Sequence, residues 1–312
     1  MSFKLSVIIP AHNPRVDYLQ KVLNALQAQT LPSSQWELLF VDNRSVPPLA
    51  GRIDLSWHPN AAVVREETLG LTRARVAGFQ RALGELIALV DDDNLLASDY
   101  LAHVVRLFAE HPRVGALGGK IFPEFEGTPH PWIKEFFGLI ACRDYGDSPM
   151  VSNGLWDDTL GRNVYPLCAP VGAGMALRRE AVQPWLTAPL ASELTDRRGT
   201  ELSSGGDNDI VLTLMKRGWK VGYFPQLSLN HLIPTSRTTR DYLARLNHGI
   251  AKSWIQVLTR HDACPWGPIP GWTVPLRQLK AWFTYRAWGG PAEYIHWQGA
   301  CGHFEGRATV SR

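Results

Sequence analysis

Short runs of apolar residues alternate with amphipathic stretches through the first 120 residues of the chain. The apolar runs begin near residues 5, 37, 61 and 86. Their branched side chains are typical of strands buried on both faces of a sheet. In the stretches 16–29, 70–83 and from residue 98 onwards, apolar or small residues recur at helical spacing. Strands that alternate with helices predict an α/β fold, in which a mostly parallel sheet carries helices on both faces.

The run Leu86–Val90 leads directly into three carboxylates, Asp91, Asp92 and Asp93. Because a buried strand cannot hold unpaired charges, these residues mark the carboxyl end of the strand, where ligands bind in open α/β sheets. Three adjacent carboxylates repel one another unless a cation lies among them, so the sequence predicts a divalent metal site. An acidic turn, or the start of the helix that follows, is the alternative interpretation.

Two further strands end in polar residues. The first ends at Pro10–Asn13 and the second at Asp42. The carboxyl ends of parallel strands share one edge of a sheet, so we expect these residues to converge with the three acids on one ligand site. Neither a Gly-x-Gly-x-x-Gly sequence nor a Walker sequence follows the first strand. A bound nucleotide would therefore be held mainly by acids to its base and ribose, and by a metal to its phosphates.

Composition narrows the class of protein. The 312 residues are 45% hydrophobic and 20% charged, as in globular proteins, and the net charge of +3 gives no support for nucleic-acid binding. Four widely spaced cysteines indicate reduced thiols in a cytosolic protein. No signal peptide and no long apolar span are recognisable, which predicts a cytoplasmic location, either free or peripheral at the inner face of the plasma membrane.

The chain contains four short motifs, Ser6–Asn13, Phe40–Ser45, Leu69–Gly78 and Leu86–Asp93. In this order and spacing they resemble the motifs of family 2 glycosyltransferases. That family has the GT-A fold, a Rossmann-like fold of nucleotide-diphospho-sugar transferases. The resemblance covers about residues 4–235 and departs from the family at Val76, where asparagine is usual. It implies a nucleotide-diphosphate-sugar donor, most often a UDP-sugar.

The resemblance also implies roles for individual residues on the nucleoside side. Pro10, Ala11, Asn13 and Asp42 would hold the base, and Arg75 would lie near the base or a phosphate. The alternative for Arg75 is an exposed helix charge.

Metal and ribose contacts are implied for the acids after the fourth strand. Asp91 would contact the ribose and, with Asp93, the metal, while Asp92 would lie between them in the nucleotide-sugar site. Mn²⁺ or Mg²⁺ on such oxygen ligands would neutralise the charge that develops on the diphosphate. By the same resemblance, His231 would be a third ligand; the alternative is a hydrogen-bonded residue at the rim of the sheet.

Residues from the second half would complete the site. Gly172 and Gly174 match a segment beside the donor sugar, where small residues let the backbone approach a ligand. Asp207, at the start of a predicted helix that runs to about Arg217, matches the family's general base, which an inverting transfer requires. A plain helix cap is the alternative for Asp207, and Asp209 is the second choice for the base.

The expected organisation is a catalytic domain, 1–235, followed by a helical, aromatic-rich extension, 236–312. Apolar residues at helical spacing over 238–261 predict a long amphipathic tail helix at the start of this extension. Within the domain, 1–120 would bind the nucleotide and 121–235 would form the acceptor side. Residues 124–168 show no repeating spacing of hydrophobic residues, which predicts an irregular insertion. Its aromatic residues would either stack on a sugar or pack in the core. In 265–312, Trp and Phe mixed with Arg and Lys predict either peripheral membrane contact or packing on the domain.

The implied activity is inverting, metal-dependent transfer of a sugar to a hydroxyl of a saccharide or lipid-linked acceptor, in cell-surface polysaccharide or glycolipid biosynthesis. A sugar-phosphate nucleotidylyltransferase is one rival, but it would need a glycine-rich, basic loop where this chain has Ala11–Pro14. A non-catalytic, transferase-like binding module is the other.

Overall fold

A central mixed sheet is built from strands of both halves of the chain. The computed structural model describes residues 3–187 and 205–310. Within these ranges the strands are β1 Leu5–Ala11, β2 Trp36–Asn43, β3 Ala61–Glu66, β4 Leu86–Leu89, β5 Asn94–Leu96, β6 Val114–Phe125, β7 Met150–Val151, β8 Trp156–Asp157, β9 Arg162–Asn163, β10 Ala176–Arg178 and β11 Lys220–Ile233. The α-helices are α1 Val16–Gln27, α2 Leu71–Arg81, α3 Tyr100–Glu110, α4 Arg179–Leu186, α5 Gly206–Lys216, α6 Arg240–Arg260, α7 Val274–Thr284 and α8 Pro291–Thr309.

The strand order in the large sheet is β3-β2-β1-β4-β10-β6-β11-β5, and β7 pairs with β11. The pairs β3–β2, β2–β1, β1–β4 and β6–β11 are parallel, as predicted. In contrast, β10 is antiparallel to both of its neighbours, and β5 and β7 are antiparallel to β11. The sheet is therefore mostly parallel, and its antiparallel strands are β5, β7 and β10.

Register between the parallel strands brings their carboxyl ends to one edge. Ala11 lies opposite Asp42 in the β1–β2 pair, and Ile8 lies opposite Leu89 in the β1–β4 pair. Strand β4 ends one residue earlier than expected, although the Val90 amide still donates to the Ile8 carbonyl at 3.0 Å. Asp91, Asp92 and Asp93 thus leave the sheet at the same edge as the loop after β1.

Side chains of the strands alternate between the two faces of the sheet and contribute to a hydrophobic core on each face. Val7 and Ile9 pack with α1 and α3 on one face of the sheet, and Ile8 packs with α2, α4 and α5 on the other. Burial on both faces is the reason that these strands are continuous apolar runs in the sequence.

The chain after β6 is irregular, as the missing period predicted. It contains a 3₁₀ helix, Pro131–Ile140, and a two-stranded ribbon made by β8 and β9. The expected tail helix is α6, whose first turn is capped by the Thr239 hydroxyl, which accepts from the Tyr242 amide at 3.3 Å. Among the described helices, none is both long and apolar enough to cross a membrane.

Helix α8 packs closely on α6 through a line of glycines. The glycines at 299, 302 and 306 face α6 at helical spacing. A Cβ atom on Gly302 would lie 2.1 Å from the carbonyl oxygen of His248. This contact lets the two helix backbones approach each other directly.

Candidate active site

A cleft with a volume of about 590 Å³ opens at the carboxyl edge of the sheet. It brings together most of the residues that the sequence predicted for the site. Those that line it are Pro10, Ala11, Asn13, Arg75, Asp91, Asp92, Asp93, Gly172, Asp207 and His231. The predicted residues Asp42 and Gly174 do not line it.

Asp93 lies at the centre of a charged cluster and is nearly buried. One carboxylate oxygen, Oδ2, lies 2.8 Å from Nη1 of Arg237 and 3.4 Å from Nε2 of His231. The other oxygen, Oδ1, accepts from the side-chain amide of Asn94 at 3.0 Å. Asp93 and His231 therefore meet across the strand pair β5–β11, as a shared ligand role would require.

A hydrogen bond from Nδ1 holds the His231 ring in one orientation. Because a carbonyl oxygen only accepts, Nδ1 donates to the Ile140 carbonyl, at 2.9 Å. Nε2 is left facing Asp93, the arrangement in which metal-binding imidazoles are commonly fixed. Burial lowers the pKa of His231, but the Asp93 carboxylate outweighs burial and raises that pKa to about 10.

The three carboxylates after β4 are crowded. Burial, together with the charges of Asp93 and Asp91, raises the pKa of Asp92 to about 8, although Arg237 partly offsets this. Crowded carboxylates of this kind gain from a bound cation.

Arg237 lines the cleft and was not singled out from the sequence. It lies in a single 3₁₀ turn, Thr235–Thr238, directly after β11. No period marks such a turn, and the only sequence signal is a basic residue shortly after His231. Its guanidinium partly neutralises the charge of the acids.

Arg75 is buried in the cleft wall rather than exposed on its helix. Its Nη2 atom lies 3.9 Å from an oxygen of Asp91, and its Nε atom is buried without a partner among the described residues. A Cβ atom on Gly172 would lie 2.5 Å from Nη2 of Arg75. Glycine at 172 therefore leaves room for the guanidinium in this position.

Asp42 differs from its predicted position. It is buried behind the cleft, where its carboxylate accepts from the amides of Ser45 and Leu49, each at 2.9 Å, and from Arg65 at 2.7 Å. Burial raises the pKa of Asp42, but these hydrogen bonds outweigh burial and hold it below its ordinary value. In this structure Asp42 orders the loop after β2, and direct contact with a base would require one of these donors to leave.

The loop after β1 is held in place by the loop after β2, which Asp42 orders. The Asn13 amide donates to the Ser45 hydroxyl, and its side-chain oxygen accepts from the Val46 amide, both at 2.9 Å. Asn13 adopts a φ of 47°, a conformation that asparagine tolerates better than most residues. Asn43, whose side chain accepts from the Gly70 amide at 2.8 Å, lines the cleft beside it.

Gly174 shapes the backbone next to the cleft. Its φ of 71° is strained for residues with a Cβ atom, which here would lie 2.5 Å from the Leu229 side chain. Its carbonyl accepts from the buried Tyr100 hydroxyl. Gly174 thus places the preceding residues, including Gly172, in the wall.

The two aspartates at the start of α5 have separate environments. Asp207 faces the cleft, and its carboxylate accepts from the Gly172 amide at 2.8 Å and from the Asn208 amide at 3.0 Å. Asp209 is buried outside the cleft, where it accepts from Trp185 Nε1 at 2.7 Å and pairs with His261 Nε2 at 2.8 Å. Asp209 is therefore the partner of a basic residue and does not line the cleft.

One wall of the cleft is apolar and comes from α6. Tyr242, Leu246, Ile250 and Trp254 recur every four residues, so that they share one side of the helix, opposite the acids. The sequence predicted α6 but not that this side would face the cleft. The aromatic residues of the irregular insertion, for which sugar stacking and core packing were both open, are Trp132, Phe136, Phe137 and Trp156, and they do not line it.

The donor groups fit a hard divalent cation. Two carboxylates and an oriented imidazole lie at the same end of the cleft, and these are suitable ligands for Mg²⁺ or Mn²⁺. Within 3–187 and 205–310, no group of three His, Cys, Asp or Glu side chains is arranged to hold a metal ion. An ion bound at this end of the cleft would therefore need most of its ligands from water and from a substrate's phosphates, as Mg²⁺ does.

Fold and cleft together define a glycosyltransferase of the GT-A type. The profile of the family described as "Glycosyl transferase family 2" matches residues 6–184, and the chain belongs to this family. A curated relative, the glucosyl-dolichyl phosphate glucuronosyltransferase of Haloferax volcanii, is 23% identical over 248 residues, which are 77% of this chain and 72% of the relative. In two other relatives, the chain spans only 12% and 30% of the relative's length.

Solved structures of low sequence identity share the fold. The mannosyltransferase PcManGT from Pyrobaculum calidifontis, in complex with GDP-Man and Mn²⁺, matches 97% of this chain and 73% of its own, with a TM-score of 0.55 and 18% identity. The S. aureus TarS fragment 1–349, in complex with UDP-GlcNAc, matches 97% of this chain and 90% of its own, with a TM-score of 0.50 and 15% identity.

Proposed function

We propose that this glycosyltransferase is an inverting, metal-dependent enzyme that transfers a sugar from a nucleotide-diphosphate donor to a hydroxyl acceptor. One observation carries the proposal. The carboxylate of Asp207 lines the same cleft as Asp91, Asp93 and Arg75, so that a base and a donor site are available to one reaction.

On the donor side, charged residues would hold the diphosphate and ribose. Asp91 would accept from the ribose, Asp93 and His231 would hold Mn²⁺ or Mg²⁺, and the buried Nε of Arg75 would donate to a phosphate oxygen. The bound ion would supply Lewis-acid stabilisation of the departing diphosphate. Arg237 would turn from Asp93 to the same phosphates.

On the acceptor side, Asp207 would take the proton of the attacking hydroxyl. The new bond forms between the acceptor oxygen and the anomeric carbon, the bond to the diphosphate breaks, and the proton moves to the carboxylate. Attack from the face opposite the leaving group inverts the anomeric centre. The Gly172 and Asn208 amides keep the carboxylate in place before attack.

The base would lie against the loops after β1 and β2, with contacts from Pro10, Ala11 and Asn13. Asp42 would support these contacts from behind by ordering the second loop. We favour uridine as the nucleoside because UDP-GlcNAc is bound by a protein of the same fold, although GDP-Man is bound by another.

The acceptor would be a saccharide carried on a lipid. The apolar α6 wall, including Ile250 and Trp254, suits a hydrocarbon or the apolar face of a sugar better than a fully hydrated glycan. The printed name of the Haloferax relative includes a dolichyl phosphate, which supports the same class. A role in cell-surface polysaccharide or glycolipid synthesis follows from such an acceptor.

A thermal-shift screen of nucleotide sugars, each with and without Mn²⁺, tests the donor site. We expect one donor to raise the Tm of the wild-type protein by several degrees only when Mn²⁺ is present. Asp93→Asn should lose this shift, whereas Asp99→Asn, at an exposed carboxylate outside the cleft, should keep it. A shift that EDTA leaves unchanged would exclude metal dependence, and a product with the donor's anomeric configuration would exclude inversion.

A further inference from the structure

One face of helix α7 packs on α8, and the other is exposed to solvent. On the packed face, Ala281 is buried and the ring of Trp282 meets that of Trp297 on α8 edge-on, with centroids 4.7 Å apart. Trp297 Nε1 also donates to the Gln278 carbonyl at 3.0 Å. These contacts fix the orientation of α7 on α8, within the C-terminal extension.

The other side of α7 presents large apolar side chains to solvent. Leu276, Leu279 and Phe283, which we call the α7 outer face, share that side at spacings of three and four residues. Their exposed fractions are 64%, 56% and 62%. Trp272 and Trp288 flank them, with 76% and 59% of their surfaces exposed. Contiguous apolar surface of this kind marks an interaction site in a folded protein.

In the segment that carries this face, the charged side chains are all positive. Residues 263–292 include Arg277, Lys280 and Arg286 but no Asp or Glu. The whole chain is nearly balanced, with 32 basic and 29 acidic residues, so this segment is a local departure. A second copy of the chain would bring like charges together across the face. An anionic surface would complement them.

We propose that the α7 outer face docks the protein peripherally on an anionic lipid bilayer. Leu276, Leu279 and Phe283 enter the boundary between headgroups and acyl chains, where burial of apolar surface provides the binding energy. Trp272 and Trp288 lie at headgroup level, as aromatic residues do at membrane interfaces. Arg277, Lys280 and Arg286 attract lipid phosphates, which makes binding dependent on anionic lipid and on salt.

The docking surface is connected to the cleft through packed helices. Helix α7 rests on α8, and α8 packs on α6, whose opposite side forms the apolar wall of the cleft. A lipid-linked acceptor would then reach the cleft from the bilayer on which the protein rests. This last step depends on the proposed function, whereas docking itself does not.

Vesicle flotation of the full chain tests the docking surface. The probe is phosphatidylcholine vesicles with and without phosphatidylglycerol. We expect binding to the anionic vesicles that weakens at high salt, and at least about tenfold weaker binding by Leu276→Gln/Leu279→Gln/Phe283→Gln. The matched control is Leu83→Gln/Leu160→Gln/Leu167→Gln, which changes three leucines exposed by 56%, 56% and 68% away from α7. It should bind like the wild type.

The α7 variant should also transfer sugar to a soluble acceptor at the wild-type rate, so that loss of docking and loss of the proposed reaction are distinguished. Equal flotation of both triple variants would overturn the proposal. So would binding that ignores anionic lipid and salt. If sedimentation instead shows a dimer that only the α7 variant dissociates, and no vesicle binding occurs, the face is a contact between two copies and the membrane proposal is wrong.

Discussion

Two aspartates two residues apart on α5 should respond in opposite ways to the same substitution. Asp207→Asn keeps the size of the side chain and removes its charge. The carboxylate now accepts from two backbone amides, those of Gly172 and Asn208. An asparagine can accept from only one of them with its single oxygen, and its NH₂ group would face the other.

The expected loss from Asp207→Asn is mainly kinetic. Removing a positioned general base lowers kcat by roughly 10²- to 10⁴-fold, or about 3–5 kcal/mol of transition-state stabilisation. The lost hydrogen bond costs about 1 kcal/mol of unfolding free energy. Donor binding should remain, because the proposed diphosphate and ribose contacts come from other elements than α5.

Asp209→Asn should lose stability instead of activity. Its carboxylate accepts from Trp185 and His261 inside the core, with Arg260 3.6 Å away. Weakening these bonds to a buried charge should cost about 2–3 kcal/mol of unfolding free energy. Because this residue does not line the cleft, each folded molecule should turn over at close to the wild-type rate.

Transfer kinetics, donor binding by titration calorimetry and urea unfolding, measured on both variants, separate the two effects. The base assignment would be refuted if Asp207→Asn kept kcat within about threefold of the wild type. A stable Asp209→Asn protein without activity would move the base to the second aspartate and would contradict the geometry of α5.

Two further predictions concern stability. Gly302→Ala should lower the unfolding free energy by at least about 2 kcal/mol in urea, because the new Cβ would lie 2.1 Å from the His248 carbonyl oxygen. Gly271→Ala, with open space around it, is the control, and equal losses would contradict close α6–α8 packing. Burial against the Trp36 ring lowers the pKa of His58 to about 4. The unfolded chain therefore takes up this proton first, and stability falls as pH drops from about 6.5 to about 4, by at most about 1.4 kcal/mol per unit. His58→Phe should flatten this part of the pH–stability curve, and an unchanged slope would refute the assignment.

The sheet edge could be predicted because local sequence carries its signal. A buried strand needs a continuous apolar run, and charge ends that run, so β4 and the three acids define the edge without any tertiary information. Parallel pairing then brings the loop after β1 to the same place. Arg75 and Gly172 were found through the family resemblance, and the structure adds that the glycine makes room for the guanidinium.

Features set by distant contacts could not be predicted. Asp42 faces away from the cleft because Arg65, on the neighbouring strand, and two amides of its own loop satisfy the carboxylate. Helix α6 has apolar residues over more than one face, so its period alone could not show that Leu246 and Trp254 would meet a ligand cleft. Arg237 lies in a single turn without a repeating pattern. The antiparallel direction of β10 depends on its neighbours rather than on its three residues.

The glycine contact between α6 and α8 makes the C-terminal helices a rigid spacer. Helix α6 has 21 residues and is about 31 Å long, and its last turn contributes Val257 and Leu258 to the core of the sheet. The height of the cleft above any surface under α7 is therefore fixed by packed backbone rather than by a flexible linker. Because this distance is fixed, we expect transfer rates on vesicles to depend sharply on the number of sugars between the lipid and the accepting hydroxyl. Equal rates for acceptors of different length would show that the spacing is not rigid.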